Sequence, residues 1–350
     1  MRISKAWCLV VCLIWPVAPG TVFGQQNGGF RPGQVWPDDS GRHIQAHGGG
    51  ILAEDGQYYW YGEDRTDPRG TVVSCYRSKD LYNWTHLATV FGPNDLPSQL
   101  RQGCFIERPK VIRNKAGSYV LWAHLERQGY HFSHALVAVS ERPTGPFLFE
   151  RAFRPVADDM GFEPDDPDQQ RDLGGTFRDM NLFVDDDASA YVFYASEGNW
   201  TMYVVRLNDR YTAPQMPLEQ GKTWARILVG RMREAPAPFK YKGRYYLITS
   251  GCTGWRPNQA DCAVADHILG PWRSEGNPCR GPDAESTFRS QSTYVLPIPG
   301  RPGCFIFMAD RWVPRQLSQS TYVWLPLIID KGGSVVIDWQ DQWDLSFFDR

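Results

Sequence analysis

Several chemistries leave fingerprints that this chain lacks. It has no HExxH or other paired-histidine motif, and the spacings of its cysteines fit no zinc site, so no transition-metal centre is expected. A GxSxG elbow and a phosphate-binding loop are also missing, which argues against an α/β-hydrolase nucleophile and against nucleotide chemistry. Neither sign of charge is in marked excess. The formal net charge is −2 over 350 residues, or −4 without the two cations Arg2 and Lys5, which gives nucleic acid or an anionic membrane little to hold. No run beyond the N-terminus is apolar enough for long enough to cross a bilayer.

What is present begins with a leader. Arg2 and Lys5 precede an apolar run from Ala6 to Ala18, and small residues lead to a cut after Gly24, the pattern of a secretory signal peptide over residues 1–24. An uncleaved anchor is the alternative. A secreted or periplasmic protein is therefore expected, with a mature chain of residues 25–350 and no membrane span in it. Export leaves Cys75, Cys104, Cys252, Cys262, Cys279 and Cys304, which could close up to three disulfides or stay reduced as small buried groups. Aromatic residues abound, with 14 Trp and 16 Tyr. Some of those rings should lie exposed, as platforms for the faces of sugars.

The strongest pattern is a repeat. REAPAPFKYKGRYYLITSGCTGW, from Arg233, reads as a carboxylate, a strand, a tight turn at Lys242-Gly243 and an aromatic returning strand. Four other segments match it: HGGGILAEDGQYYWYGE from His47, ERPKVIRNKAGSYVLWAH from Glu107, DMNLFVDDDASAYVFYAS from Asp179 and QSTYVLPIPGRPGCFIFMADRW from Gln291. They step by about 55 to 70 residues, near the period of the larger propeller repeats. Between them lies a second piece, two short strands and a turn, at Ser74, Ala135, Met202 and Cys262. Four strands per period, five periods: an all-β, five-bladed β-propeller is expected, forming one catalytic domain over residues 25–350. Gln25 to Arg42 should be an irregular lead-in, the acidic insert from Val156 to Arg171 a solvated loop, and the runs WLPLIID and SVVIDW the completion of the fifth blade.

In a propeller the innermost strands line a central channel and their first residues gather at one mouth. His47, Glu107, Asp179, Glu234 and Gln291 should therefore meet, joined from the ends of the returning strands by Glu63, Tyr130, Asn199, Thr253, Trp255 and Trp312. Acids, amides, a histidine and rings around one pocket suit a neutral polyhydroxylated ligand, an oligosaccharide or polysaccharide. Crowded carboxylates can divide labour in glycoside hydrolysis, one staying protonated to serve the leaving oxygen. Glu234, held by a rigid Ala-Pro-Ala-Pro run, is the expected acid. Each residue also has a structural reading: Glu107 and Asp179 as ion-pair partners of Arg108 and Arg178, Gln291 as a channel amide, His47 as the cap of a turn.

HGGGI with YYWYGE, ERPKVI, RDMNLF, REAPAPFK with YYLITSGCTGW, and TFRSQSTYVL with FMADRW together resemble glycoside hydrolase family 43, above all its exo-β-1,3-galactanase branch. The resemblance spans about residues 43 to 345. It implies hydrolysis with inversion, releasing galactose from β-1,3-galactan, with Glu234 as the general acid and Asp179 as the carboxylate that adjusts it. The family's usual aspartate base falls in Ala46-His47-Gly48, where no acid stands; the resemblance gives the water-holding role to Gln291, with Glu107 nearby, and sugar contacts to Glu63, Tyr130, Asn199 and Thr253. An arabinofuranosidase or xylosidase of the same family, or a sugar-binding propeller without catalysis, are the alternatives. No cofactor is implied, a calcium ion in the channel has no motif behind it, and a monomer is expected.

Overall fold

The computed structural model describes residues 28–67, 71–156 and 175–349. The expected signal peptide, residues 1–24, and most of the acidic insert, residues 157–171, lie outside the described residues.

Five small sheets, antiparallel except where Cys279–Arg280 pairs in parallel with Val335–Asp338 in blade 5, are arranged as a five-bladed β-propeller. The innermost strands of blades 1 to 5 are His47–Glu54, Cys104–Arg113, Arg178–Val184, Arg233–Tyr241 and Gln291–Pro297. Each packs against the innermost strands of the two neighbouring blades, so they close a ring. Two of the hairpins turn on residue pairs that favour left-handed backbone: Asp55-Gly56 (φ 48° and 70°) and Lys242-Gly243 (φ 48° and 80°), the geometry whose twist matches the strands it joins.

Alternation along the strands puts an apolar face on each side of every sheet, and the fold buries these faces in five separate cores, one in each gap between blades. Tyr61, Val73, Leu121 and Leu136 fill the first gap; Trp122, Val137, Tyr194 and Trp224 the second; Phe193, Val204 and Leu247 the third; Phe239, Ile248, Phe307 and Leu325 the fourth. The fifth gap, between blades 5 and 1, holds Trp60, Trp84 and Trp324. Fully burying a side chain of this size is worth about 1.5–3 kcal/mol, so each gap contributes enough to hold its two sheets together.

One expectation needs correction, and two others gain detail. The lead-in is not merely irregular: Phe30 exchanges backbone hydrogen bonds with Trp343 (2.7 and 3.1 Å) and is buried among Trp36, Trp324 and Trp343, so it seals the ring. In blade 3 the outer strand is Trp224–Ile227, not the stretch after Met202–Arg206, because residues 208–223 form a loop before the chain returns to the sheet. The six cysteines are all free thiols, and Cys75, Cys104, Cys262 and Cys279 serve as small apolar groups in the cores.

Candidate active site

Each innermost strand carries a β-bulge, one extra residue set against its partner strand, in its first half. In blades 1 to 4 a bulge residue is left-handed: Gly48 (φ 57°), Arg108 (54°), Asp179 (40°) and Ala235 (52°). For the three that are not glycine this costs on the order of 1 kcal/mol each, and it turns the first side chains of the strand into the mouth of the channel. Register also corrects the repeat. Arg178 is the blade 3 counterpart of Glu107 and Glu234, and Asp179 stands one place further on, level with Arg108 and Ala235.

The mouth holds a cavity of about 340 Å³ lined by residues of all five blades. Of the expected residues, Glu63, Glu107, Tyr130, Asp179, Asn199, Glu234, Trp255, Gln291 and Trp312 line it. His47 and Thr253 do not. His47 is fully buried beneath the site, its Nδ1 3.2 Å from Asp310 Oδ1 and its ring stacked on Tyr322. Thr253 braces its own loop, donating to Arg256 O and accepting from Asn258. Arg65, Arg108, His124, Arg178, Cys252 and Gly254 line the cavity without having been anticipated. His124 was within reach, since it faces Glu107 across the blade 2 hairpin as Glu63 faces His47.

Glu234 occupies the wall between blades 3 and 5. Its Oε1 accepts from Gln291 Nε2 (2.9 Å) and its Oε2 from Asn199 Nδ2 (3.0 Å). Burial, reinforced by the Asp179 carboxylate and only partly opposed by Arg108, lifts its pKa to about 8. The Arg108 guanidinium, itself buried, lies 3.4 Å from Asp179 Oδ1 and donates to Gln291 Oε1 (2.5 Å) and to Ser292 O (3.0 Å).

Gln291 is held at all four of its positions. Oε1 accepts from Arg108 and from Trp312 Nε1 (3.0 Å), and Nε2 donates to Glu234 and Ser250 Oγ (3.0 Å). Arginine and indole nitrogens are donors only, so the amide can face in only one direction.

Glu107 sits on the opposite wall. Burial alone would raise its pKa, but His124 and Arg65 outweigh burial and hold the carboxyl well below the usual range. Oε1 accepts from Arg65 Nη2 and Tyr130 Oη, both at 2.9 Å, and Oε2 lies 3.4 Å from His124 Nδ1. His124 bridges to Glu126 (3.1 Å), and the two carboxylates outweigh its burial and lift its pKa to about 9. Glu126 in turn binds the backbone N–H groups of Phe132 and Ser133, fixing the loop that presents Tyr130. Glu63 accepts from Arg65 Nε (2.6 Å) and from the Arg108 backbone (2.7 Å), and burial raises its pKa.

Beneath the cavity, buried Lys110 donates to the carbonyls of Gly48 (2.7 Å) and Arg108 (3.3 Å). Burial and the Arg108 charge pull its pKa down to about 7. Asn181 spans to Pro236 O and Thr293 O, and Thr293 to Gly49 O. These bonds tie the inner strands together under the site. Among the described residues, no group of three or more His, Cys, Asp or Glu is arranged to hold a metal ion, and no helix is long and apolar enough to cross a membrane. Among the described residues the expected exposed rings are Tyr130 and Trp255, the latter edge-on to Trp312 at the rim, whereas Trp60, Trp84, Trp122, Trp224, Trp324 and Trp343 are core.

A propeller with a protonatable carboxyl, a second carboxylate beside it and rings at the rim belongs to the glycoside hydrolases. The model of Glycosyl hydrolases family 43 matches residues 49–291, and the chain belongs to that family. Among solved structures, it is similar to a family 43 β-1,3-galactosidase solved with galactodeoxynojirimycin, at 40% identity over 90% of this chain and 100% of that one (TM-score 0.81). It is also similar to the exo-β-1,3-galactanase of Clostridium thermocellum, at 36% identity over 90% of this chain and 66% of that one (TM-score 0.79). The Phanerochaete chrysosporium exo-β-1,3-galactanase, solved with β-1,3-galactotriose, is 32% identical over 91% of this chain and 68% of that one (TM-score 0.77). This chain thus spans about two thirds of the length of the latter two. No curated protein matches it significantly.

Proposed function

We propose that this glycoside hydrolase is an exported exo-acting galactan 1,3-β-galactosidase that releases galactose from β-1,3-galactan with inversion, Glu234 serving as general acid. The observation that carries the reading is the Glu234 carboxyl, kept protonated near neutrality by burial and Asp179 in a pocket faced by all five blades. The likeness to β-1,3-galactan-cleaving relatives supports the substrate. The bonds of Lys110, Asn181 and Thr293 under the cavity support exo action, since a pocket with a floor receives a chain end. The leader supports export to where a polysaccharide is met.

The anomeric carbon is attacked by water as the acid protonates the departing oxygen. Glu107, held so low by His124 and Arg65, is a weak base; in this reading it binds sugar hydroxyls and stabilises positive charge on the ring. Gln291 holds the water. Its Oε1 is the one acceptor the amide offers, reached when Trp312 at the rim gives way.

Mass analysis of a β-1,3-galactan digest tests the assignment. Galactose is expected as the first product, with Glu234→Gln slower by about 10²–10⁴-fold. Release of arabinose or xylose from aryl glycosides, with galactan untouched, would refute it. Gln291→Ala losing turnover while Glu107→Gln keeps most of it supports the division of roles between the two; the reverse would make Glu107 the base.

A further inference from the structure

An acid catalyst needs its proton on a particular oxygen, facing the bond to be broken. Gln291 decides which oxygen of Glu234 that is. Its amide is fixed by the donor-only guanidinium of Arg108, so an N–H points at Glu234 Oε1 whether or not Trp312 is in place. The proton of the acid must therefore sit on Oε2. The side chain hydrogen-bonded to Oε2 is Asn199, with Nδ2 donating at 3.0 Å.

That orientation suits the ionised carboxylate and leaves a defect. Asn199 Oδ1 is buried with no hydrogen-bond partner, which costs about 1–3 kcal/mol. Turning the amide by 180° places Oδ1 at the position of Nδ2, where it can accept a proton from Oε2, and moves the N–H₂ group away from Glu234. The thiol of Cys252, which interacts with both side chains, is a weak acceptor for it.

The backbone beneath Asn199 is built to stay still while the amide turns. Glu197, Gly198 and Asn199 form a left-handed turn (φ 52°, 62° and 73°). Glu197 is buried and anchored by Arg226 (2.7 and 3.0 Å) and Tyr203 (2.6 Å), and the Gly198 N–H donates to Thr176 Oγ1 (3.1 Å).

We propose that Asn199 positions the proton of the acid: before substrate binds, Asn199 Oδ1 accepts the Oε2–H of Glu234 and so keeps the proton on Oε2, from which the O–H turns to the glycosidic oxygen when the substrate is in place. The inference rests on Glu234 being the acid, as proposed above. In the step itself the Glu234 O–H bond breaks, its proton bonds to the glycosidic oxygen, and that oxygen keeps the electron pair of the broken C–O bond. Water adds to the anomeric carbon, and the proton it releases restores Glu234 for the next turnover. With the carboxylate left behind, the amide turns back and Nδ2 donates to Oε2.

Asn199 thus acts through Glu234, and leaving-group dependence separates that role from sugar binding. A 2,4-dinitrophenyl β-galactoside departs without a proton; β-1,3-galactobiose does not. Asn199→Gly keeps the left-handed backbone without strain and removes the amide. Its kcat on galactobiose should fall about 30-fold, and on the dinitrophenyl substrate at least tenfold less than that. Asn199→Asp, of the same shape, retains an acceptor and adds negative charge beside the acid, so the alkaline limb of its kcat profile should move up by about one pH unit; thermal melts confirm folding of both. Equal losses on the two substrates, or a rise in KM alone, would overturn the proposal and leave Asn199 a sugar contact. Glu234→Gln on the same pair is the control: if it shows no leaving-group split, the acid assignment fails; if it shows the split and Asn199→Gly does not, only the inference fails.

Discussion

Glu234→Gln should make the protein more stable while making it a worse enzyme, and only at neutral to alkaline pH. A carboxyl has its ordinary pKa near 4.5 in the unfolded chain, and burial with the Asp179 charge lifts that of Glu234 to about 8 in the fold. The folded state therefore prefers the protonated form. The associated stability is complete below about pH 4.5, falls as pH rises from there to about 8, and does not change further above. Each unit of separation is worth about 1.4 kcal/mol, so the full loss is bounded at about 5 kcal/mol. Relaxation around the ionised group and its coupling to Asp179 reduce this to a few kcal/mol. Glutamine has no proton to lose. Its carbonyl can accept from Gln291 Nε2 and its N–H₂ can donate to Asn199 Oδ1, so the variant avoids the penalty without leaving a donor facing a donor. Differential scanning calorimetry from pH 4 to 9 should find the two proteins melting together at the acid end and the variant about 3 to 5 °C higher at pH 8.5. A constant gap across the range, or a variant that melts lower at pH 8.5, would refute the account of Glu234 as a carboxyl forced to keep its proton.

Other perturbations probe the surroundings. Asp179→Asn removes the carboxylate that reinforces burial at Glu234, so the alkaline limb of kcat/KM should move about one unit towards acid; an unmoved limb would leave burial as the whole cause. His124→Gln leaves Glu107 and Glu126 buried without the cation between them, and should cost about 3 kcal/mol by urea unfolding and at least about tenfold in kcat/KM. The support His124 provides is full below its ordinary pKa of 6.5 and lost as pH rises through about 9, so the gap between variant and wild type should narrow above pH 9. Trp255→Ala removes a ring that is 41% exposed at the rim; KM for galacto-oligosaccharides should rise about tenfold, with the melting temperature within about 1 °C of wild type, and a change in melting temperature without one in KM would make Trp255 structural.

The fold was legible because a hairpin writes itself locally. Tyr245 to Thr249 is a short run of aromatic and β-branched residues of the kind strands favour, and Lys242-Gly243 supplies the left-handed pair its turn requires. Repeated five times, such units have only one economical way to cover all their apolar faces. The site was legible in part for the same reason: strand beginnings meet at one end of a ring, which brings Glu107, Asp179, Glu234 and Gln291 together. It misled where partners from another blade decide the outcome. His47 lies beneath the cavity, its Nδ1 against Asp310 and its ring stacked on Tyr322, both from blade 5, although Glu107 and Glu234 hold the same place in their own strands and face the mouth. Arg178 and not Asp179 proved to be the counterpart of Glu107 because only the pairing with the neighbouring strand fixes which residue stands before the bulge.

Pattern and composition alone settled that the chain is an all-β ring of five similar sheets and which segments bring their ends to a common mouth, because strand period and turn preference act over a few residues. The protonation of those ends was settled only in three dimensions. Nothing near Glu234 or Glu107 in the chain distinguishes a carboxyl lifted to about pH 8 from one held far below its usual value. Asp179, Arg65 and His124 arrive from other strands, and electrostatic work depends on the distance between charges and on the water removed from around them, quantities that exist only after the blades have closed.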